Sequence, residues 1–255
     1  MAASSNVLST VSAPRRRGYR EFIAIVAVQS LGNTMSTSFW LVYLVSPPQS
    51  MPFETGVLVW LLAFAIAIVA VLVYARGRPI RATRSMTAGL AAMVGGHLAL
   101  AFLPPPYVLV GGALGFGLYI PWFWLPFNLL FSRETSLGNR AGRMAGVTST
   151  FMIVSVGAPA LGGLVAQVVG YRVLFVASAA VVAGNLALVR LLAQREETFA
   201  YRFDFRRMGG RTSLAFSGQG AYEGLSTAAT PLASFLFTTA ALELGLLFAF
   251  FSTAT

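Results

Sequence analysis

Long apolar runs separated by short polar joints make up most of this chain. The runs Phe22–Val45, Thr55–Ala75, Ser85–Leu103, Pro106–Phe131, Met144–Val169 and Tyr171–Leu192 each reach the roughly 20 mostly apolar residues that a helix needs to cross a bilayer. A charged stretch, Ala193–Arg211, follows them, then a polar-flecked segment over 212–238 and an apolar run from Leu242 onward. The runs are too long for membrane strands and lack their short-period alternation. The pattern predicts an all-α, polytopic membrane protein. The tail Met1–Arg20 ends in Arg15, Arg16, Arg17 and Arg20, as a signal peptide's charged region would. The run after it is too long for a signal peptide and has no clear small-residue cleavage site, so it is read as a retained first helix.

Composition sharpens this picture. Hydrophobic residues make up 56% of the 255 positions and charged residues 10%, against roughly a quarter charged in soluble domains. A soluble fold of this size has too little interior for so much apolar side chain. The 18 basic residues, all arginine, exceed the 8 acids to give a net charge of +10. Such an excess elsewhere suggests nucleic acid, but here the arginines sit in clusters between apolar runs, so no nucleic-acid partner is expected. The absence of cysteine and the single histidine exclude disulfides, thiolate chemistry and Cys- or His-rich metal centres. No metal site and no cofactor are expected. Gly112-Ala-Leu-Gly115-Phe-Gly117 is read as helix packing, not a nucleotide loop, because no strand precedes it. No nucleophile–base pair or carboxylate pair stands out, so an enzyme is not expected and no catalytic residue is assigned.

The arginines also set an orientation. Clusters precede the first run, fill the second connection (Arg76, Arg78, Arg81, Arg84) and the fourth (Arg133, Arg140, Arg143), and end the sixth (Arg190 to Arg211). All but Arg172 fall on one side, which the positive-inside rule places in the cytoplasm together with the N-terminus. The expected location is a cell (inner) membrane.

The chain also resembles itself. Gln29-Ser-Leu-Gly-Asn33-Thr-Met-Ser36-Thr37 is echoed by Gln219-Gly-Ala-Tyr222-Glu223-Gly-Leu-Ser226-Thr227, and Glu54-Thr-Gly56-Val-Leu58 by Glu243-Leu-Gly245-Leu-Leu247. The offsets are 190 and 189 residues, so one gap joins both matches, as in a parallel-repeat transporter. The expected organisation is a cytoplasmic tail at 1–20, a six-helix bundle at 21–192, a cytoplasmic basic loop at 193–211, and at 212–255 the start of a second bundle, incomplete in this chain.

Six spans, a basic loop and a second similar half resemble the major facilitator superfamily. In the fifth run, Gly157-Ala158-Pro159-Ala160-Leu161-Gly162-Gly163 is similar to that superfamily's antiporter motif, with Ala158 in place of a glycine. Small residues there let helices approach closely, and Pro159 removes a backbone bond. Ser132 to Gly146 resembles the superfamily's fourth connection, and Gly170-Tyr171-Arg172 the start of its sixth span. Two features depart from the pattern. The second connection has no acid beside its arginines, and the fourth run lacks an arginine near its start.

Polar groups inside a span must face protein or a water-filled cavity. Asn33 lies about 20 Å along the first helix, near the midplane. Gln29, Asn33 and Thr37, with Gln219 and Tyr222 from the second copy, are candidate substrate-cavity residues, and inter-helix hydrogen bonding is their other reading. Tyr119, Trp124 and Asn128 are candidates from the fourth run, where Pro121 and Pro126 interrupt the helix. Glu223, the repeat mate of Asn33, would be an acid within the membrane and a proton carrier. On the other reading it lies in a solvated loop. His97 is the second candidate for proton coupling, with a structural hydrogen bond as its alternative.

Together with the resemblance, these residues imply a secondary active transporter. It would export a small amphipathic molecule by proton antiport, with the lipid bilayer, the substrate and protons as its partners. The alternative is a non-transporting scaffold or assembly factor bound to other membrane subunits. Reporter fusions after Ser50, Arg84, Pro105, Asn139 and Phe203 test the orientation. The fusions at Arg84, Asn139 and Phe203 should report cytoplasm, and an external signal at Arg84 or Phe203 reverses the assignment.

Overall fold

Hydrocarbon cannot hydrogen-bond a backbone, so an apolar run entering it closes its own hydrogen bonds as a helix. The computed structural model describes residues 16–46, 49–74, 79–104, 107–136, 138–192, 198–200, 210, 214, 218, 220, 230–231 and 233–254. Seven helices occur within them: α1 (Arg16–Val45), α2 (Phe53–Tyr74), α3 (Ala82–Phe102), α4 (Tyr107–Glu134), α5 (Arg140–Val169), α6 (Tyr171–Leu192) and α7 (Ala241–Ala254). Two short strands, β1 (Ile80–Arg81) and β2 (Thr198–Phe199), pair antiparallel with Ile80 opposite Phe199.

The helices outrun the apolar stretches, chiefly at the arginine-bearing end. Helix α1 starts at Arg16, not Phe22, so the expected tail boundary at residue 20 falls inside it. Helices α4 and α5 continue to Glu134 and back to Arg140. Arginine is a good helix former, and water satisfies the exposed turns. Helices α2 to α6 are long and apolar enough to cross a membrane. Helix α1 has 30 residues but falls below that apolar mark among the described residues because of its polar positions. Much of the segment expected to open a second bundle lies outside the described residues.

Helix α1 packs against α5 and α6, α3 against α4 and α6, α2 against α4, and α7 against α5. Helix α2 turns Leu58, Leu61, Ile68 and Leu72 outward, the surface a lipid-facing helix presents. Tyr19 of α1 donates its hydroxyl proton to the Arg143 carbonyl at 3.3 Å, with the Arg143 guanidinium 5.4 Å from its ring centre. Phe199 is buried and stacks on Tyr74 at 6.3 Å. These ties gather the α1 start, the α2–α3 and α4–α5 joints and the β2 strand at one end. Arg172, at the start of α6, lies at the other.

Helix α4 runs unbroken through Pro121 and Pro126. Proline has no N–H, so Pro126 leaves the Trp122 carbonyl without its helical donor. Ser85 of α3 supplies one, donating its hydroxyl to the Trp122 oxygen at 2.7 Å, while the Tyr74 hydroxyl bonds to Ser85 in turn. Small residues bring the helices this close. A Cβ on Gly89 would lie 2.9 Å from the Phe123 nitrogen, and one on Gly115 would lie 2.6 Å from the Gly96 Cα. Ser85→Ala should therefore lower unfolding stability by about 1 kcal/mol, measured by denaturation in micelles. In a Pro126→Ala background, where residue 126 regains its N–H, the same change should cost clearly less. Equal losses in both backgrounds would show that Ser85 does not replace the missing donor.

Candidate functional site

Gln29, Asn33 and Ser36 of α1 are spaced at i, i+4 and i+7, so they share one helix face. Gln29, Ser30 and Ser36 are all within 2% of full burial. Gln29 and Ser36 find partners on α3, α4 and α6, whereas the buried Ser30 hydroxyl has none among the described residues. Gln29 donates from Nε2 to the Met93 Sδ at 3.2 Å. Its Oε1 accepts from Asn185 Nδ2 at 3.3 Å, and the same amide nitrogen donates to the Ile25 carbonyl at 3.1 Å. The Tyr119 phenol is a further hydrogen-bonding neighbour of Gln29. Asn185, fully buried in α6, was not singled out from the sequence. Its signal was there: it is the one amide in an otherwise apolar span, and such a group needs a partner.

One turn along, His97 of α3 lies 2.6 Å through Nε2 from Ser36 Oγ and 2.9 Å through Nδ1 from the Met93 carbonyl. A carbonyl only accepts, so neutral His97 carries its proton on Nδ1 and receives the Ser36 hydroxyl proton at Nε2. Ser36 Oγ also lies 3.3 Å from the Gly32 carbonyl and 3.2 Å from that of Asn33. If Nε2 gained a proton, the hydroxyl could rotate to those carbonyls and accept from the imidazolium. The pair can therefore take up a proton without moving a heavy atom. A small cavity of about 10 Å³ adjoins it, lined by Ser36, Thr37, Trp40, His97 and Phe116 among others. That is roughly the space of one water.

The sequence-predicted residues do not converge on one cavity. Thr37 and His97 line the small one. Asn33 is half-buried, with its Oδ1 buried and without a partner among the described residues. Gln29 is spent on packing, and Tyr119 stacks on Phe123 at 5.4 Å inside the core. Trp124 is half-buried and meets Phe127 edge-on at 5.4 Å, while Asn128 is exposed. Steps of five and nine residues from Tyr119 turn a helix by about 140° and 180°, so Tyr119 points away from Trp124 and Asn128, which lie one turn apart on a shared face. Gln219, Tyr222 and Glu223 lie outside the described residues.

The α5 motif is likewise divided. A Cβ on Gly163 would lie 2.5 Å from the Ala241 carbonyl and 3.1 Å from the Gly245 Cα of α7. A Cβ on Gly245 would lie 2.5 Å from the Pro159 carbonyl. Gly162 faces the opposite neighbour, against the Met35 carbonyl of α1. Gly157 is exposed and meets nothing among the described residues. Helix α5 is therefore clasped between α1 and α7 by backbone contact. Phe39 of α1 closes the same junction edge-on against Phe248 of α7 at 5.6 Å.

No protein-family model matches this sequence, and no curated protein matches it. Solved structures do. A POT family transporter in complex with a thioalcohol-conjugated peptide aligns with 90% of this chain and 49% of its own, with a TM-score of 0.63 at 9% identity. A peptide transporter POT in complex with sulfate aligns with 86% of this chain and 50% of its own, with a TM-score of 0.60 at 12% identity. The chain thus spans about half the length of the solved transporters it matches, and at these identities the likeness is one of fold. The protein is an all-α polytopic membrane protein whose helices share the fold of these solved transporters.

Proposed function

We propose that this chain belongs to a secondary active transporter of the major facilitator type. It exports a small amphipathic molecule by proton antiport through alternating access, from an inner membrane with the N-terminus in the cytoplasm. The observation that carries this reading is the α5–α7 crossing, where Gly163 and Gly245 put backbone against backbone. Such a contact has few interlocked side chains to separate, so one bundle can rock against another, as alternating access requires. On this reading residues 21–192 form the first bundle, 193–211 the cytoplasmic loop, and 212–255 the start of the second.

Protons are carried by Glu223 or by the His97–Ser36 pair, and the geometry of the pair supports a proton-accepting role. Asn33, with its unpartnered oxygen, and Thr37 are the substrate-facing positions of α1. Gln219 and Tyr222 are their counterparts in the second copy. The solved neighbours include a complex with a peptide conjugate, so short peptides join amphipathic compounds in the substrate screen.

The test is flux in proteoliposomes made from the complete open reading frame, driven by an imposed pH gradient. Glu223→Gln and His97→Gln each remove a titratable group with a small change of shape. Gradient-driven flux should fall at least about tenfold in one of them, with substrate exchange retained. Wild-type flux in both would remove the proton assignment. Absence of flux for every compound, together with purification in fixed ratio with other membrane subunits, would favour the scaffold reading.

The crossing itself can be tested separately. Gly163→Leu should abolish transport, because its side chain would enter the α7 backbone. Gly157→Leu, on the open side of α5, should keep more than about half of wild-type flux. Equal flux in the two variants would detach transport from the crossing.

A further inference from the structure

The end of the bundle away from the arginine clusters carries a groove of about 550 Å³ between the end of α3 and the start of α6. Its size falls in the range of small-ligand sites. Arg172, the arginine set apart from all the others, lies on its wall. The side chain is held in place. Nε donates at 2.9 Å to the Ala101 carbonyl, one of the last carbonyls of α3 that no helical N–H reaches, and the guanidinium lies 5.2 Å from the centre of the Phe102 ring. With Nε engaged, the two terminal nitrogens are left as a fork. Among the described residues no carboxylate pairs with it.

Tyr43 and Tyr171 add hydroxyl donors to the groove, with the Gln49 amide beside them. Gln49 Nε2 donates to the Tyr43 hydroxyl at 2.8 Å, which leaves the Tyr43 proton free to point into the groove. Tyr171 stands beside Tyr43, their ring centres 5.5 Å apart. A fixed guanidinium fork with phenolic O–H donors is chemistry that recognises a phosphate oxyanion. The rim is different in character. Phe102 and Leu103 are 56% and 42% exposed, and Leu98, one turn below Phe102 on α3, is 39% exposed. This apolar strip leads from the fork along the flank of the bundle, where an acyl chain would lie.

We propose that this groove binds a phosphate group, and that the phosphate is the headgroup of an anionic phospholipid in the leaflet opposite the arginine-rich end. Arg172 would grip the phosphate with both terminal nitrogens, Tyr43 would donate to a third oxygen, and the lipid chain would follow Phe102 and Leu98. The site is separate from the α1–α3 polar interior and does not depend on the transport reading.

The experiment is native mass spectrometry of the purified full chain, titrated separately with phosphatidylglycerol, phosphatidylcholine and inorganic phosphate. Phosphatidylglycerol should give a saturable one-to-one adduct, held at least about tenfold more tightly than phosphatidylcholine and lost in Arg172→Gln. Because Arg172 also ties α6 to α3, Tyr43→Phe serves as the second variant. It removes only a hydroxyl and should weaken the adduct severalfold with thermal unfolding unchanged. Competition by inorganic phosphate at similar concentration would keep the phosphate site but overturn the lipid as its source. Adducts that ignore headgroup charge and both substitutions would be annular lipid, and would overturn the proposal.

Discussion

Hydrocarbon offers no hydrogen bonds, so the polar groups that α1 carries into the bundle gain most where protein meets them, as it does at Gln29 and Ser36. That preference organises the interior. Gln29 draws in Met93 from α3, Asn185 from α6 and Tyr119 from α4, and Ser36 draws in His97. The polar positions of α1 thus reach partners on three helices, while the more apolar α2 turns Leu58, Leu61, Ile68 and Leu72 outward. The bonds are individually modest, of order 1 kcal/mol. Leaving any one of these groups unpaired would cost more than a formed bond contributes, which is why the partners come from several helices at once.

A second strain comes from proline. Pro126 in α4 and Pro159 in α5 each free a backbone carbonyl, and the two helices respond differently. In α4 the freed Trp122 oxygen is capped by Ser85, and this ties α2, α3 and α4 together through Tyr74. In α5 the proline stands beside Gly162 and Gly163, which admit the backbones of α1 and α7. The first arrangement stiffens a three-helix corner. The second leaves a smooth backbone contact on either side of α5.

Charge is distributed with the same economy. The arginine-bearing joints are tied to one another at one end, by Tyr19 against Arg143 and by β1 against β2. The strand pair also anchors the chain at Thr198–Phe199, since Phe199 is buried against Tyr74. At the other end a lone arginine is fixed to a helix carbonyl and a ring, with its fork toward a groove.

The sequence by itself determined the membrane class, the six long helices within a residue or several of their ends, and the common side of the arginine joints. Apolar run length and charge spacing are local properties, and lipid leaves the backbone no other choice than helix. It also marked α1 as the polar helix and His97 as a buried titratable group. The tertiary structure alone decided which polar residues meet. Asn185 sits 156 positions from Gln29 along the chain, and no local pattern pairs them. Nor does nearness along the chain set direction in α4, where the helical turn points Tyr119 away from Trp124 and Asn128. The antiporter-like motif was legible as a string, but its division into Gly162 toward α1, Gly163 toward α7 and Gly157 toward open space depends on which helices flank α5, and only the packed bundle fixes that.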